Sequence, residues 1–221
     1  PGTVTERVLD LDSQLQAHLV NPDELDAHAR RYLVELERAP LNRLRNVYRS
    51  VREAGPVAME RLELASLVRT YQELKRRTGH VEFADQMAAA ARLATEVPAV
   101  SESLRQQFPV VLLDEYQDTS SAQAVLLREL FSGPDAASGL GHPVTAVGDP
   151  FQAIYGWRGA AASNILQFPA HFPRADGTPA ARLSLTVNRR SGPAILAAAN
   201  RLAEPLRTDP TLSYDLSDAV L

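Results

Sequence analysis

The chain has 221 residues, of which 45% are hydrophobic and 23% charged, an ordinary composition that excludes wholesale disorder. Cysteine is absent, which excludes disulfides, thiolate catalysis and cysteine-ligated zinc. The formal net charge of −4 at pH 7 excludes a uniformly basic nucleic-acid binder. No apolar run approaches the ~20 residues of a membrane span, and the length predicts one or two domains.

The first half of the sequence, residues 1–107, predicts a series of helices. It begins with neither a methionine nor the basic-then-apolar order of a signal peptide, which we interpret as the inside of a longer protein. Asn21-Pro22-Asp23-Glu24 has the residue types of a helix start: an Asn cap, a first-turn proline and acids that complement the helix dipole. Gly55-Pro56 predicts a break, followed by an amphipathic helix that ends near Gly79.

From residue 108 onward, short apolar runs alternate with helical patterns. The predicted strands are Val110–Leu113, Pro143–Gly148 and Arg182–Val187. Their continuous apolar character favours strands that are buried on both faces of a parallel sheet. Helices are predicted at Ser121–Phe131, Ala160–Phe168 and Pro193–Leu206. This alternation of strand and helix predicts an α/β fold.

Two acids, Asp114 and Glu115, directly follow the first predicted strand. A strand that ends in carboxylates places them at the carboxyl edge of a sheet, where open α/β folds bind ligands. Asp114 can hold Mg²⁺, which bridges nucleotide phosphates, and Glu115 can deprotonate an attacking water. The dipeptide alone leaves open the alternative that the strand simply ends in solvated acids. Residues 118–120, Asp-Thr-Ser, also suit a helix N-cap.

A second polar segment, Gly148–Ala160, follows the second predicted strand. Gln152 can hydrogen-bond a phosphate or the attacking water. Tyr155 and Trp157 can stack on bases, and Arg158 can hold a phosphate. The alternative is that the two aromatic residues belong to the core or to an interface.

A third segment, Asn188-Arg189-Arg190-Ser191, follows the third predicted strand and precedes a helix. Two arginines at this place can reach an anion such as a γ-phosphate. The alternative is that both arginines are solvated in a loop.

Together the three segments resemble motifs II, III and IV of superfamily 1 DNA helicases of the UvrD/Rep/PcrA type. Residues 114–119 match the family's Asp-Glu-aromatic-Gln-Asp-Thr, residues 148–160 match motif III, and residues 188–191 correspond to Asn-Tyr-Arg-Ser. Phe83-Ala84-Asp85 is similar to a segment upstream of motif II. The resemblance implies a partial RecA-like P-loop NTPase core, a parallel sheet with flanking helices, at residues 108–221. It also implies that residues 1–107 correspond to subdomain 1B and its return into subdomain 1A.

The resemblance further implies the roles of individual residues around ATP and Mg²⁺, the two expected cofactors. Asp114 and Glu115 would bind Mg²⁺, and Glu115 would be the catalytic base. Gln152 would sense the γ-phosphate, and Arg190 would act as an arginine finger. Arg189 stands where the family usually has a tyrosine that stacks on adenine, which leaves adenine selectivity open.

The expected partner is single-stranded DNA or a junction of single- and double-stranded DNA, contacted by Tyr155, Trp157 and Arg158. The resemblance implies ATP-dependent movement along DNA, 3′→5′ by family, in DNA repair or recombination. It also implies a cytoplasmic, nucleoid-associated location and no membrane partner. A partner subunit is left open.

The phosphate-binding loop G-x-x-x-x-G-K-[ST] is absent from the sequence, whose one lysine, Lys75, lies in a predicted helix. That loop supplies backbone N–H groups and a lysine to the β- and γ-phosphates. We therefore expect an internal fragment of a larger motor that alone hydrolyses no ATP. The alternative is a non-catalytic, helicase-like module that binds DNA or a partner protein.

Overall fold

A computed structural model describes residues 2–41, 46–156, 159–185 and 187–208 of the chain. The chain divides into two compact units, Pro1–Ala90 and Ala91–Leu221, and the division falls within one helix. The fold is mostly helical, with a small parallel sheet in the second unit. Within the described ranges, no helix combines the length and the apolar character needed to cross a membrane.

The first unit is built on three helices, and a fourth begins in it. They are α1 (Gly2–Ala17), α2 (Pro22–Glu37), α3 (Arg49–Thr78) and α4 (Phe83–Glu96). The predicted start of α2 is confirmed: the Asn21 side chain accepts a hydrogen bond from the Glu24 N–H, and the Glu24 carboxylate accepts one from the Asn21 N–H, both at 2.8 Å. The predicted end of α3 is also confirmed, because Gly79 follows it with φ +69°.

The predicted break at Gly55-Pro56 is wrong, because α3 runs without interruption through both residues. A proline inside a helix removes one backbone hydrogen bond and costs about 3 kcal/mol. Beyond it, Ala58, Ala65 and Val68 are fully buried where α3 packs on α1 and α2. The burial of this face outweighs the local cost, so tertiary packing overrides the sequence signal.

The described residues of the second unit form the sheet and four further α-helices. These elements are α5 (Pro98–Gln107), β1 (Val111–Leu113), α6 (Ser121–Phe131), β2 (Val144–Ala146), α7 (Ser163–His171) and α8 (Pro193–Arg207). The two strands are parallel, with Val111 opposite Val144 and Leu113 opposite Ala146. Two predicted strands are thus confirmed, and α6 has its predicted bounds, capped by Ser120.

The core of the second unit lies on one face of the sheet. It is formed by Ala94, Tyr116, Leu130, Phe131, Phe168 and Phe172. Val111 and Leu113 pack against this cluster, whereas Leu112, which points the other way, is 77% exposed. The expectation that the strands are buried on both faces is therefore wrong for the part of the chain that the structure describes.

The predicted third strand, Arg182–Val187, is also wrong: residues 181–185 and 187 belong to neither strand, and Thr186 lies outside the described residues. Leu183 and Leu185 are 93% and 89% exposed. A strand forms only when a neighbour pairs with its backbone groups, and no described strand lies beside this segment. The predicted α/β fold is therefore confirmed only in part: the described residues form a two-stranded parallel sheet with helices around it.

Candidate active site

The ends of β1 and β2 bring two of the three sequence segments to one edge of the sheet. Since the strands are parallel, the segments that follow them leave the sheet on the same side. Beyond the strands, the Val147 N–H donates to the Leu113 carbonyl at 2.8 Å, and the Tyr116 N–H donates to the Val147 carbonyl at 3.0 Å. These bonds hold residues 114–117 beside residues 147–149.

Glu115 adopts a left-handed backbone conformation, with φ +50° and ψ +41°. This region is uncommon for a residue other than glycine and costs about 1–3 kcal/mol, so the surrounding structure must hold it. The Glu115 N–H donates to Oδ1 of Asp114 at 3.0 Å. Both carboxylates are exposed and therefore accessible to a ligand from solvent.

Asp114 and Glu115 suit Mg²⁺ by the chemistry of their donor atoms. Mg²⁺ prefers hard oxygen ligands and is usually held by one or two carboxylates together with waters and substrate phosphates. Two adjacent exposed carboxylates at the edge of a parallel sheet meet that description. The pair fits a nucleotide-bound Mg²⁺ better than an ion held by protein groups alone.

Gln117 connects Glu115 to the segment that follows β2. Its side chain is almost completely buried. The Gln117 Nε2 donates to Oε2 of Glu115 at 2.7 Å, and the Gln117 Oε1 accepts from the Asp149 N–H at 3.1 Å. Gln117 was missed as a site residue from sequence, although its amide, two residues after the candidate base, was a usable signal.

Asp149 continues the connection to Gln152. Its carboxylate accepts from the Phe151 N–H at 2.9 Å and from Nε2 of Gln152 at 2.8 Å. Glu115, Gln117, Asp149 and Gln152 thus form one hydrogen-bonded series across the edge of the sheet. Asp149 was also missed from sequence, where it appeared only as an acid after a strand.

Gly148 provides the space for this series. A Cβ atom at this position would lie 2.2 Å from Oε1 of Gln117 and 2.6 Å from Cδ1 of Ile165. Both distances are shorter than ordinary Cβ contacts, so the ends of these two side chains would have to shift to admit a side chain at residue 148. The glycine therefore permits the close approach of Gln117 to the backbone after β2.

The candidate DNA-contacting residues follow Gln152. Tyr155 is exposed, and the neighbouring Ile154 is 70% exposed. Trp157 and Arg158 lie outside the described residues. After them, the Ala161 N–H donates to the Thr119 carbonyl at 3.1 Å, which returns the chain to the segment after β1.

Arg189 and Arg190 lie in an exposed turn before α8. The Asn188 side chain shapes this turn, since its Oδ1 accepts from the N–H groups of Arg190 and Ser191 at 2.9 and 2.8 Å. Neither guanidinium pairs with a carboxylate of the described residues. At the other end of α8, the Arg207 guanidinium lies 5.9 Å from the centre of the Phe151 ring.

Lys75 belongs to a separate cluster in the first unit. Asp12, Glu82 and Asp85 place carboxylate oxygens within 4.8 Å of one another, and the Lys75 Nζ donates to all three. Burial alone would lower the pKa of Lys75, but the hydrogen bonds to Asp12, Asp85 and Glu82 more than offset it and raise that pKa above its usual value. The N–H groups of the Lys75 ammonium are thus taken up by these three carboxylates, so the ammonium is unavailable to a phosphate.

Known proteins similar to this chain are DNA helicases. The UvrD/REP helicase N-terminal domain family matches residues 5–173. DNA helicase II of Escherichia coli (strain K12) is 39% identical over 134 residues, which are 61% of this chain and 17% of the relative. The ATP-dependent DNA helicase PcrA of Staphylococcus aureus (strain Mu50) is 36% identical over 139 residues, 63% of this chain and 17% of the relative. The matched part of the chain spans only about 17% of the length of these relatives.

Proposed function

Because the chain belongs to the UvrD/REP helicase N-terminal domain family, we propose that it forms part of the motor of an ATP-dependent DNA helicase or translocase. One observation carries the proposal. At one edge of a parallel sheet, a series of hydrogen bonds through Gln117 and Asp149 links Glu115, the neighbour of Asp114, to Gln152. In such motors, hydrolysis of ATP drives movement along single-stranded DNA, here in the 3′→5′ direction.

The proposed chemistry begins with the carboxylates after β1. Asp114 and Glu115 would hold Mg²⁺, which would supply positive charge to offset that of the nucleotide phosphates. Glu115 accepts a proton from the attacking water, a role open to an exposed carboxylate that a neighbour orients. Gln152, which the Asp149 carboxylate holds, would contact the γ-phosphate.

Other residues complete the proposed nucleotide and DNA sites. Arg190 would donate to the γ-phosphate, and Arg189 would lie against the base as a planar guanidinium. Tyr155, Trp157 and Arg158 would contact single-stranded DNA through stacking and charge. The exposure of Tyr155, Arg189 and Arg190 is compatible with ligands arriving from solvent.

We place the phosphate-binding loop outside these 221 residues, since the sequence lacks its pattern and Lys75 is buried in an ion cluster. In this proposal, residues 108–221 are part of a RecA-like subdomain 1A. Residues 1–107 form subdomain 1B and its return into 1A. The full-length protein would act on bacterial chromosomal DNA in the cytoplasm.

Strand displacement by the full-length protein tests this proposal. We expect wild type to unwind a duplex with a 3′ tail when ATP and Mg²⁺ are present, and not a duplex with a 5′ tail. Glu115→Gln should bind the substrate without unwinding it, while Glu102→Gln, at an exposed glutamate of α5, should unwind normally. DNA binding by wild type without ATP-dependent unwinding or ATP hydrolysis would instead support the non-catalytic binding module.

A further inference from the structure

We propose that Gln117 is a positioning residue: it fixes the Glu115 carboxylate and connects it to the segment that carries Gln152. The catalytic consequence rests on the function proposed above, whereas the contact itself does not. The Gln117 side chain is buried and hydrogen-bonds Glu115 and Asp149, so it would act only through these two residues.

The partners of Gln117 fix which way its amide points. The Asp149 N–H can only donate, so the Gln117 carbonyl oxygen must face it at 3.1 Å. The Gln117 NH₂ group then faces Oε2 of Glu115, an acceptor, at 2.7 Å. The reverse orientation would bring donor against donor and acceptor against acceptor in a buried place. The Gln117 amide therefore has only one orientation that makes a hydrogen bond both to the Asp149 N–H and to the Glu115 carboxylate.

Burial makes this arrangement rigid while Glu115 itself stays exposed. The Gln117 side chain is 1% exposed, so no solvent can replace its partners without the segment opening. The Glu115 carboxylate would otherwise be free to change rotamer in solvent. One hydrogen bond from a fixed donor holds it in place, beside a backbone already in the left-handed region.

The same amide transmits the position of one segment to the other. Asp149, whose N–H meets Gln117, uses its carboxylate to hold Nε2 of Gln152 at 2.8 Å. Gly148 keeps this approach open, since any Cβ there would collide with Oε1 of Gln117. A displacement of residues 149–152 would therefore move the Glu115 carboxylate through one buried side chain, that of Gln117.

Gln117→Glu isolates the proposed role. The substitution keeps the size of the side chain and an acceptor for the Asp149 N–H, but it turns the donor toward Glu115 into a second carboxylate oxygen. Loss of a group that orients a functional residue typically reduces activity by about 10–100-fold, and we expect kcat for DNA-stimulated ATP hydrolysis to fall by that amount. KM for ATP and affinity for DNA should stay at wild-type values in the full-length protein.

Gln123→Glu is the matched control. Gln123 is the N3 residue of α6, where its Oε1 accepts from the Ser120 N–H at 2.8 Å, and a glutamate serves equally well in that capping box. The same chemical change six residues away should leave kcat unchanged. Wild-type kcat in Gln117→Glu, or an equal loss in Gln123→Glu, would overturn the proposal.

A stability cycle on the 221-residue chain tests the contact independently of ATP hydrolysis. Gln117→Glu should lower the melting temperature because two carboxylates then face each other. Adding Glu115→Gln should recover part of the loss, because residue 115 then supplies the donor and residue 117 the acceptor, while the carboxylate at residue 117 stays buried. Additive effects of the two substitutions would overturn the inference. If wild type hydrolyses no ATP, the proposed function fails, and this cycle alone decides whether Gln117 holds Glu115.

Discussion

The ammonium nitrogen of Lys75 lies 2.5 Å from Oδ2 of Asp12, which precedes it by 63 residues. The two side chains are 7% and 1% exposed. The contact joins α1 to α3, and Lys75 also reaches Glu82, just before α4, and Asp85 in the first turn of α4. One buried cation thus holds together three parts of the first unit.

Lys75→Met is expected to destabilise the chain strongly. Removing one partner of a buried ion pair leaves the other charge uncompensated and typically costs about 3–5 kcal/mol. Arg76→Met is the control, because its pair with Glu73 is exposed on both sides and exposed pairs contribute at most about 1 kcal/mol. Urea unfolding measures both free energies, and equal losses would show that the Lys75 cluster contributes no more than a surface pair.

Gly148→Ala is expected to destabilise the second unit and disturb the site. Its new Cβ would collide with Oε1 of Gln117, and overpacking of this kind costs about 1–3 kcal/mol. Gly156→Ala offers the contrast: apart from its chain neighbours, no atom of the described residues lies within 4 Å of the added Cβ, so the change should stay within about 0.5 kcal/mol. Thermal unfolding compares the two variants, and a Gly148→Ala protein as stable as Gly156→Ala would contradict the observed packing.

His171 is expected to make stability depend on pH in weak acid. Burial, and secondarily the charge of Arg128, lowers the pKa of His171. The unfolded chain, with the ordinary value of about 6.5, then binds a proton more readily than the folded chain. Stability should therefore fall as the pH drops below that ordinary value.

His171→Gln should reduce this dependence, whereas the exposed His80→Gln should not. Denaturant unfolding at several pH values between neutrality and pH 5 measures the slopes. Identical slopes for wild type and His171→Gln would contradict the assignment.

Local signals in the sequence predicted local structure well. Asn21 and Ser120 cap helices as expected, since a cap depends on residues within one turn. The two strands that precede residues 114–119 and 148–160 also form within the predicted apolar runs. The family resemblance is confirmed by the match over residues 5–173, which includes the first two motifs and ends before residues 188–191.

Features that depend on distant residues could not be predicted. The apolar pattern at Leu183 and Leu185 marks a strand, but pairing requires a neighbour that the described residues do not supply. Pro56 signals a break, yet packing of α3 overrides it. The bridge from Glu115 to Asp149 depends on the register of β1 against β2, and the sequence does not reveal that register.

The 221-residue chain alone is expected to hydrolyse no ATP at a useful rate. It carries the acids proposed for Mg²⁺ and the water, but no G-x-x-x-x-G-K-[ST] loop to hold the phosphates. A phosphate-release assay with Mg²⁺ and single-stranded DNA measures this directly. DNA-stimulated hydrolysis by the chain that disappears in Glu115→Gln would contradict the expectation.

ATP hydrolysis by the full-length protein, measured with and without single-stranded DNA, tests the role of Glu115 most directly. We predict that DNA stimulates the wild-type rate and that Glu115→Gln lowers it by about 10²–10⁴-fold, the usual contribution of general base catalysis. The Glu102→Gln control should keep the wild-type rate. A Glu115→Gln protein that hydrolyses ATP as fast as wild type would contradict the assignment of Glu115 as the base at this sheet edge.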